Sequence, residues 1–513
     1  MTTKHFVYAT LLAAPLAGPL HVAHAQTAPA QPTDSTPVAA SPGDAADAAS
    51  PEALDQRLRV LERRLEIQQE DAKAAAAAAP VVKASASGFS IATPNGAFRI
   101  ALHAVLNIDN RYYYNEFKPS GGTTPLDRGV DTTLLRLARP IIDGTVGNLV
   151  DFRFTPDFAG GKTVIQDAYA TVKFLPAFNV TAGKFKSPVG LERLQSDTDT
   201  RFVERALPDR LIPNRDLGIQ FSGNLLGPVL AYQLAYLNGT IDGGSTDNST
   251  NVPSSSVDGD PNNSKDIAAR LFSLPFANSQ LFALRGLGVG IGASRGHLHG
   301  WVDGSTTPAT SYSLLTSYKT NGQQTFFSYR SANTATGTAA TLADGLRQRI
   351  APQAYYYNGP FGLLGEYVVS KTAVSRVENG SATVDRATLA NRAWQIAGAW
   401  FITGEDEGYK YPAPRRPYTV GGEGWGALEF VARYAVLDID DAAFVGGANS
   451  FADPTKSANR ASAWTVGLTW TLTQNFKTLV NYETTRFDGG ATAAAGGDSP
   501  TEKVLFSRFQ LSY

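Results

Sequence analysis

The chain has 513 residues, a formal net charge of −1, no cysteine and one methionine. The near-neutral charge gives no electrostatic support for nucleic-acid binding, and we expect no nucleic-acid partner. The lack of cysteine excludes a disulfide scaffold and a thiolate metal site. Beyond the N-terminus no stretch reaches the roughly 18 apolar residues that a membrane-spanning helix requires. If the chain lies in a membrane, it must cross it with β-strands.

The first residues have the three parts of an export signal in order. Lys4 supplies a positive charge, residues 6–20 form an apolar segment, and Ala23-His24-Ala25 is a small-x-small cleavage site. The sequence therefore predicts a signal peptide over residues 1–25 and a mature chain that begins at Gln26.

Two segments separate this signal from the rest of the chain. Residues 26–50 are rich in Ala, Pro, Thr, Ser and Asp, which predicts a disordered tether. Residues 51–79 carry an apolar heptad seam with spacings of four and three: Leu54, Leu58, Leu61, Leu65 and Gln68. The seam spans only about two heptads, and isolated helices that short are marginal in water, so the seam predicts a short coiled coil, in a homotrimer, or else a frayed solvated helix.

From residue 89 to residue 513 the pattern changes to the alternation of β-strands. In the first such segment apolar residues fall on one face: Phe98, Ile100, Leu102, Ala104, Leu106 and Ile108. Polar residues fall on the other face: Arg99, His103, Asn107 and Asp109. Aromatic residues recur at segment ends, as in Tyr112-Tyr113-Tyr114 and Tyr355-Tyr356-Tyr357, where the girdles of a membrane barrel would lie. The fold class predicted is all-β, a transmembrane antiparallel β-barrel.

The connections between these segments alternate in length. Short turns, as at residues 224–227, 358–360 and 473–475, are typical of periplasmic turns. Long polar stretches, as at residues 239–264 and 445–462, are typical of extracellular loops. The 425 residues from 89 onward therefore predict roughly sixteen strands at about ten residues each plus connections, with eighteen as the alternative.

The last strand ends on an aromatic residue. Leu505, Phe509, Leu511 and Tyr513 share one face, and the terminal Tyr513 resembles the signal that the outer-membrane barrel assembly machinery recognises. We therefore expect that machinery and outer-membrane lipids as partners, and the outer membrane of a Gram-negative bacterium as the location.

Enzymatic functions are poorly supported. Beyond the signal peptide the histidines are His103, His297 and His299, and no Gly-x-Ser-x-Gly elbow accompanies them. We expect no catalytic residues, no metal site and no cofactor. A barrel enzyme such as a lipid hydrolase would need Ser and His with an orienting partner at the barrel rim.

Several motifs, in order along the chain, resemble the phosphate-selective porin O and P family. They are Asp167-Ala168-Tyr169, the stretch Gly183–Glu192, Phe202-Val203-Glu204-Arg205, the aromatic cluster of 353–367, Pro414-Arg415-Arg416-Pro417 and the segment Gly426–Tyr434. The resemblance implies a trimer of sixteen-stranded barrels, each narrowed by an inward loop, here about residues 186–216. It also implies an arginine ladder for anions, with Arg136 and Arg139 in the second strand. Leu135 departs from the family, which often has a second basic residue there.

These features together predict an outer-membrane porin for passive diffusion of small anions, with phosphate or a related oxyanion favoured. A general or a carboxylate- or sugar-selective porin is the alternative. Arginine suits this function because its planar guanidinium stays charged and contacts oxyanions in pairs. The candidate pore residues are Arg99, Arg136, Arg139, Arg153, Lys173, Lys184, Lys186, Arg193, Arg201, Arg205 and Arg215.

Overall fold

A computed structural model describes residues 51–513, apart from residues 87, 115–129, 162, 246–263, 304–309, 332–339, 379–381 and 494–496. The predicted signal peptide and tether, residues 1–50, lie outside the described residues. The chain divides into two compact units, 1–77 and 78–513. Within the described ranges no helix is both long enough and apolar enough to cross a membrane.

The described part of the first unit is a helix, α1 (Pro51–Ala78). Alanine, which has the highest helix propensity, fills its last turns, and Pro80 follows because proline cannot continue a helix. The four leucines of the predicted seam are 55–61% exposed. The helix therefore leaves its apolar seam uncovered within one chain.

The second unit is built from strands. The bounds of its strands are β1 (Val81–Ser85), β2 (Gly88–Ala92), β3 (Phe98–Tyr113), β4 (Thr132–Val146), β5 (Val150–Asp157), β6 (Val164–Leu175), β7 (Phe178–Lys186), β8 (Arg215–Asn224), β9 (Leu230–Leu237), β10 (Asp266–Ser273), β11 (Leu287–His299), β12 (Trp301–Asp303), β13 (Thr310–Tyr312), β14 (Tyr318–Lys319), β15 (Thr325–Phe327), β16 (Ala340–Asn358), β17 (Phe361–Glu378), β18 (Ala382–Phe401), β19 (Ala427–Asp438), β20 (Ala458–Thr473), β21 (Phe476–Gly489) and β22 (Glu502–Ser512). A one-turn helix, α2 (Leu191–Leu194), lies between β7 and β8.

Sixteen of these strands form a closed antiparallel barrel, β3 to β11 followed by β16 to β22. The barrel closes where β22 pairs with β3, from Val504 opposite Tyr113 to Ser512 opposite Val105. The hairpin of β1 and β2 pairs with the first part of β3. The prediction of about sixteen strands is therefore confirmed. Closure leaves neither β3 nor β22 as an open edge of the barrel, which is what a strand protein needs in lipid.

The outer face of the barrel is apolar and the inner face is polar. On β20, Trp464, Val466 and Leu468 are 57, 44 and 46% exposed, whereas the alternating Thr465 and Thr469 are buried. A soluble sheet protein buries its apolar face instead. The surface is therefore one that faces lipid, in agreement with the predicted membrane barrel.

Aromatic side chains form contacts near both rims of this outer surface. Near one rim Phe361 stacks on Trp400 at 6.1 Å between ring centroids, and near the other Tyr112 meets Tyr114 edge to face at 5.4 Å. The middle tyrosine of that triplet, Tyr113, faces the lumen, where its hydroxyl donates to the Gly322 carbonyl at 2.5 Å. The alternation of the strand thus divides the tyrosine triplet between the girdle and the pore.

The two ends of the barrel differ in their connections. At the end where β3 begins and β22 stops, here called the turn end, the connections include residues 147–149, 176–177, 359–360 and 474–475. The opposite end, the loop end, carries the longer segments 187–214, 238–265, 300–339 and 439–457. Short turns face the periplasm in outer-membrane barrels. One turn-end connection, residues 402–426, is long, and it differs from the rest because it enters the lumen.

We predict that Leu468→Arg destabilises the barrel by about 2–4 kcal/mol, because it places a charge on the lipid-facing side of β20. The free energy of unfolding would be measured by urea titration in lipid vesicles. The matched control is Ser222→Arg on the lumen side of β8, where we expect a change below about 1 kcal/mol. Equal losses for the two variants would contradict the assignment of the faces.

Candidate functional site

The segment 187–214 between β7 and β8, here called the inward loop, crosses the lumen to the opposite wall. The backbone N–H of Leu191 donates to the Glu366 carboxylate on β17 at 2.6 Å. The N–H of Val203 donates to the Asn481 side chain on β21 at 2.7 Å. Apolar side chains of the loop, Leu207, Leu211 and Ile212, are 0–1% exposed. The loop is thus packed inside the barrel.

The long connection 402–426, here called the turn segment, supports the inward loop from the turn end. Glu407 forms an ion pair with Arg201 of the loop at 2.5 Å. The Tyr409 hydroxyl donates to the Leu191 carbonyl at 2.7 Å. Burial raises the pKa of Tyr409 against the opposing effect of the Arg270 charge, so the hydroxyl keeps the proton that it donates.

A second loop, residues 313–329, enters from the loop end and carries the short hairpin of β14 and β15, here called the plug hairpin. Asn321 donates from its side-chain amide to Glu483 on β21 at 2.9 Å. Thr320 donates to Glu502 on β22 at 3.0 Å. Phe326 and Phe327 are 2 and 0% exposed. The inward loop therefore lies between the turn segment and the plug hairpin, with the strands β4 to β9 on its open side.

Two cavities remain between the inward loop and this part of the wall. The cavity toward the loop end has a volume of about 280 Å³, and the cavity toward the turn end has about 620 Å³. Arg139, Asp197 and Arg215 line both of them. These three side chains therefore mark the narrow point between the two cavities, here called the constriction.

A β-bulge allows Arg136 and Arg139 to reach the same lumen. On a regular strand, residues three apart point to opposite faces. The register of β3 and β4 shifts between Asn107 and Ile108, which leaves Arg136 as the extra residue between Leu135 and Leu137. Leu135 is 43% exposed on the outer surface, so the position that departs from the family does not face the pore.

Ion pairs hold the constriction in place. Arg139 binds Asp157 at 2.6 Å and also Asp197, and Arg205 binds Asp197 at 2.8 Å. Burial alone would raise the pKa of Asp197, but Arg205 and Arg139 hold it well below its ordinary value. Asp197 therefore stays ionised and fixes two guanidinium groups at the narrow point.

Glu204 fixes two further guanidinium groups on the loop-end side of the constriction. It accepts from Arg111 at 2.9 Å and from Arg136 at 3.1 Å. Burial opposes its ionisation, but Arg136 and Arg111 lower the pKa of Glu204 well below its ordinary value. One carboxylate thus orients two guanidinium groups, of which Arg136 lines the loop-end cavity.

The charges that line the cavities are mostly positive. The loop-end cavity has seven arginines and two carboxylates: Arg136, Arg139, Arg193, Arg205, Arg210, Arg215 and Arg508 with Asp197 and Glu204. The turn-end cavity has five cations and three carboxylates: Arg139, Arg153, Lys173, Lys186 and Arg215 with Asp151, Asp167 and Asp197. Both cavities can therefore offer an anion several N–H donors.

Arg210 differs from the other arginines of the loop-end cavity. Its guanidinium donates to the Thr320 carbonyl at 3.3 Å and to the Asn321 side chain at 3.2 Å. Among the described residues it has no carboxylate within ion-pair distance, and its Nε lacks a hydrogen-bond acceptor. Its charge is thus the least compensated of the seven.

Eight of the eleven candidate residues from the sequence line one of the cavities. They are Arg136, Arg139, Arg153, Lys173, Lys186, Arg193, Arg205 and Arg215. The Lys186 ammonium donates to the Gln195 carbonyl at 2.5 Å, so it also holds the inward loop. Arg193 is largely committed to Asp209 at 2.6 Å, and burial lowers its pKa to about 10.

The other three candidates line neither cavity. Arg201 lies between Glu407 and Glu429, and its charge is satisfied there. The Lys184 ammonium donates to the Ile165 carbonyl at 2.6 Å and is buried. Arg99 lies near the turn end, 3.9 Å from Asp143. Their positions show that a cation on the lumen side of the barrel does not necessarily line a cavity.

Two cationic residues that line a cavity were not among the candidates from the sequence. Arg508 lines the loop-end cavity and pairs with Asp109 at 2.6 and 2.7 Å. The alternation of the last strand could have identified it. Leu505, Phe509 and Leu511 face outward, so Arg508, which directly precedes Phe509, faces the lumen. Arg210 lies inside the predicted inward loop, but nothing in its sequence neighbourhood separates it from Arg193.

Comparison with known proteins gives the following similarities. An uncharacterized protein of Caulobacter vibrioides is 26% identical over 117 residues, which are 22% of this chain and 21% of that protein. The chain therefore matches only about a fifth of that relative's length.

Solved structures of outer-membrane proteins are similar over most of the chain. The outer membrane channel DcaP of Acinetobacter baumannii has 12% identity and a TM-score of 0.47, over 81% of this chain and 97% of that one. OprB of Pseudomonas putida has 9% identity and a TM-score of 0.46, over 82% and 95%. An anion-selective porin from Comamonas acidovorans has 12% identity and a TM-score of 0.44, over 81% and 100%.

A family model covers most of the barrel. The model described as phosphate-selective porin O and P matches residues 107–513, from within β3 to the last residue. This range includes the inward loop, the turn segment and every residue that lines the two cavities except Val105. The chain therefore belongs to the phosphate-selective porin O and P family and is a porin of the Gram-negative outer membrane.

Proposed function

We propose that the chain lets small anions diffuse passively through the barrel, with phosphate or a related oxyanion as the favoured solute. The observation that carries the proposal is the loop-end cavity, where seven arginines and two carboxylates surround about 280 Å³. Diffusion follows the solute gradient and needs no catalytic residue, in keeping with a channel family.

The arginines replace part of the hydration shell of the entering anion. Arg136 and Arg210 are the best placed for this on the loop-end side. The side chain of Arg136 is 39% exposed while its partner Glu204 is also held by Arg111, and Arg210 has no carboxylate of its own. An anion at this point can accept from both without breaking the ion pairs of the constriction.

Exit requires that binding stays weak. Arg139 and Arg215, at the constriction, are already paired with Asp157, Asp197 and Asp167. The attraction that they exert on a solute is reduced by these carboxylates, so an anion can pass to the turn-end cavity. There Lys173 and Arg153, whose side chains are 40 and 41% exposed, offer the next donors.

Phosphate suits this path because its oxygens match the planar fork of arginine in pairs. A sugar path would instead need a row of aromatic side chains along the lumen. The aromatic residues among the described lining of the two cavities are Tyr169, Phe185 and Phe202. The stacked pair Tyr355 and Tyr409, 5.3 Å apart, belongs to the support of the inward loop. A carboxylate or a broad range of anions is therefore the closer alternative.

We also propose that the chain assembles as a homotrimer through α1. The seam of Leu54, Leu58, Leu61 and Leu65 is exposed in the single chain, and Ala72 and Ala75 continue its spacing. Four leucines on one side of a helix lose free energy when they face water, which favours a partner that covers the seam. A coiled coil of three copies would cover it.

We predict that Arg210→Glu lowers the permeability ratio of chloride to potassium about fivefold. The substitution changes the charge beside the path by two, which shifts chloride and potassium in opposite directions by about 1 kcal/mol each for an ion some 8 Å away in water. Screening by salt of about 0.1 M roughly halves each shift, so the ratio changes by about 1 kcal/mol. The ratio follows from the reversal potential in planar bilayers under a KCl gradient. Lys456→Glu, the same charge change at an exposed loop residue outside both cavities, is the control. A reversal potential that moves equally in both variants would contradict a role for Arg210 in the path.

We predict that inorganic phosphate blocks the chloride current, and that Arg136→Lys with Arg210→Lys raises the half-blocking phosphate concentration about tenfold. Lysine keeps the charge but loses the paired contact to oxyanions. The chloride-to-potassium ratio of the double variant should stay as in the wild type. No block in the wild type would remove phosphate as the solute while leaving anion selectivity to the previous test.

We predict that Leu58→Asp with Leu65→Asp reduces the trimer fraction in mild detergent, measured by native mass spectrometry. The charges would lie in the apolar seam, where they cannot be solvated if three copies pack together. Gln56→Asp with Arg63→Asp, on the side of the helix opposite the seam, is the control. An unchanged trimer in the seam variant would show that α1 does not hold the copies together.

A further inference from the structure

The outer surface of the barrel carries a cationic groove that the pore does not use. The groove has a volume of about 660 Å³ and lies on β10, β11, β16 and β17. Its walls include small and aliphatic side chains, Ala269, Ala293, Ile350 and Val369, together with Arg295, His297 and Lys371. Ile350 is 45% exposed, as expected for the lipid-facing side.

The polar side chains form a row across three neighbouring strands. Arg295 on β11 is opposite Gln348 on β16, and Gln348 is opposite Lys371 on β17. The strands are about 4.8 Å apart, so the backbones of Arg295 and Lys371 are about 10 Å apart. Two side chains of this length can converge on one small anionic group above Gln348.

The next row toward the turn end is apolar. Ala269 is opposite Ala293, Ala293 is opposite Ile350, and Ile350 is opposite Val369. On β11, β16 and β17 the boundary between the apolar and the polar part of the outer surface therefore runs between these two rows, whereas on β10 the apolar Ile267 lies opposite Arg295. Because the polar row is on the loop-end side, it lies toward the outer leaflet.

Within the ranges that the structure describes, the side chains of the two cations of this row, Arg295 and Lys371, form no hydrogen bond and no ion pair, and the same holds for the neighbouring His297. The nearby carboxylate of Asp344 is engaged by His299 at 3.5 Å and by Arg386 at 3.0 Å. Unpaired cations at the edge of a lipid-facing surface are costly, and they are stabilised when an anionic headgroup binds there.

We propose that this groove binds a phosphorylated, acylated lipid of the outer leaflet. The phosphate contacts Arg295 and Lys371, and an acyl chain lies along Ala269 and Ala293, where the small side chains leave room. A second copy of the chain fits the groove less well, because it would bury these cations against a surface without a defined counter-charge.

The test is native mass spectrometry of the detergent-purified chain with bis-phosphorylated lipid A added. The same lipid with its phosphates removed is the matched probe. The wild type is expected to bind the phosphorylated lipid at least about tenfold more tightly than the dephosphorylated one. Equal affinities would overturn the proposal.

Arg295→Gln with Lys371→Gln is expected to weaken binding of the phosphorylated lipid about tenfold and leave pore conductance unchanged, since both side chains point outward. The control is Arg486→Gln with Lys503→Gln, which removes an exposed arginine and an exposed lysine from the loop-end parts of β21 and β22. Equal weakening in both double variants would overturn a specific site.

Ala293→Trp tests the acyl part of the groove without a change in charge. It is expected to weaken lipid binding by filling the space beside Ile350. Unchanged lipid binding in this variant would overturn the proposed acyl site. The Arg295 and Lys371 double variant could instead form smaller oligomers while its lipid binding stays unchanged. That result would assign the groove to a contact between copies and would also overturn the proposal.

Discussion

The pairing of β22 with β3 is the interaction on which the rest of the molecule depends. An open sheet in lipid would leave two rows of unpaired N–H and C=O groups, each of which costs several kcal/mol. Closure removes these edges, and the two faces of every strand then meet different surroundings. Leu468 can face lipid only because Thr469 faces the lumen.

Once the lumen is polar, its charges need partners, and the inward loop supplies many of them. Asp197 and Glu204 of the loop meet Arg139, Arg205, Arg111 and Arg136. The protein carries a formal net charge of −1, yet the two cavities are lined mostly by cations, so the distribution of charge matters for the path and the sum does not.

The arginines of the lumen fall into two groups by what surrounds them. Arg201 is closed off by Glu407 and Glu429, and Arg193 by Asp209, so both stabilise the inward loop. Arg136 and Arg210 line the loop-end cavity, the first with a side chain that is 39% exposed and the second without a carboxylate partner among the described residues. A porin needs both groups, because a flexible inward loop could not hold free donors at a fixed distance from the wall.

The sequence predicts much of the barrel because alternation, aromatic positions and connection lengths are local patterns. Eight of the cations that line the cavities could also be identified from the sequence, through the family resemblance and the alternation of inward and outward residues along each strand. The sequence does not separate Arg201 from Arg205, because their partners Glu407 and Asp197 are determined by the path of two loops through the lumen. The bulge at Arg136 and the entry of residues 402–426 into the lumen likewise depend on contacts between distant segments.

The most direct test of the anion path is the reversal potential of the wild-type protein in a planar bilayer that separates two KCl concentrations. A path lined by the seven arginines of the loop-end cavity predicts a potential with the sign of chloride selectivity. A potential near zero, or one with the sign of potassium selectivity, would contradict the account.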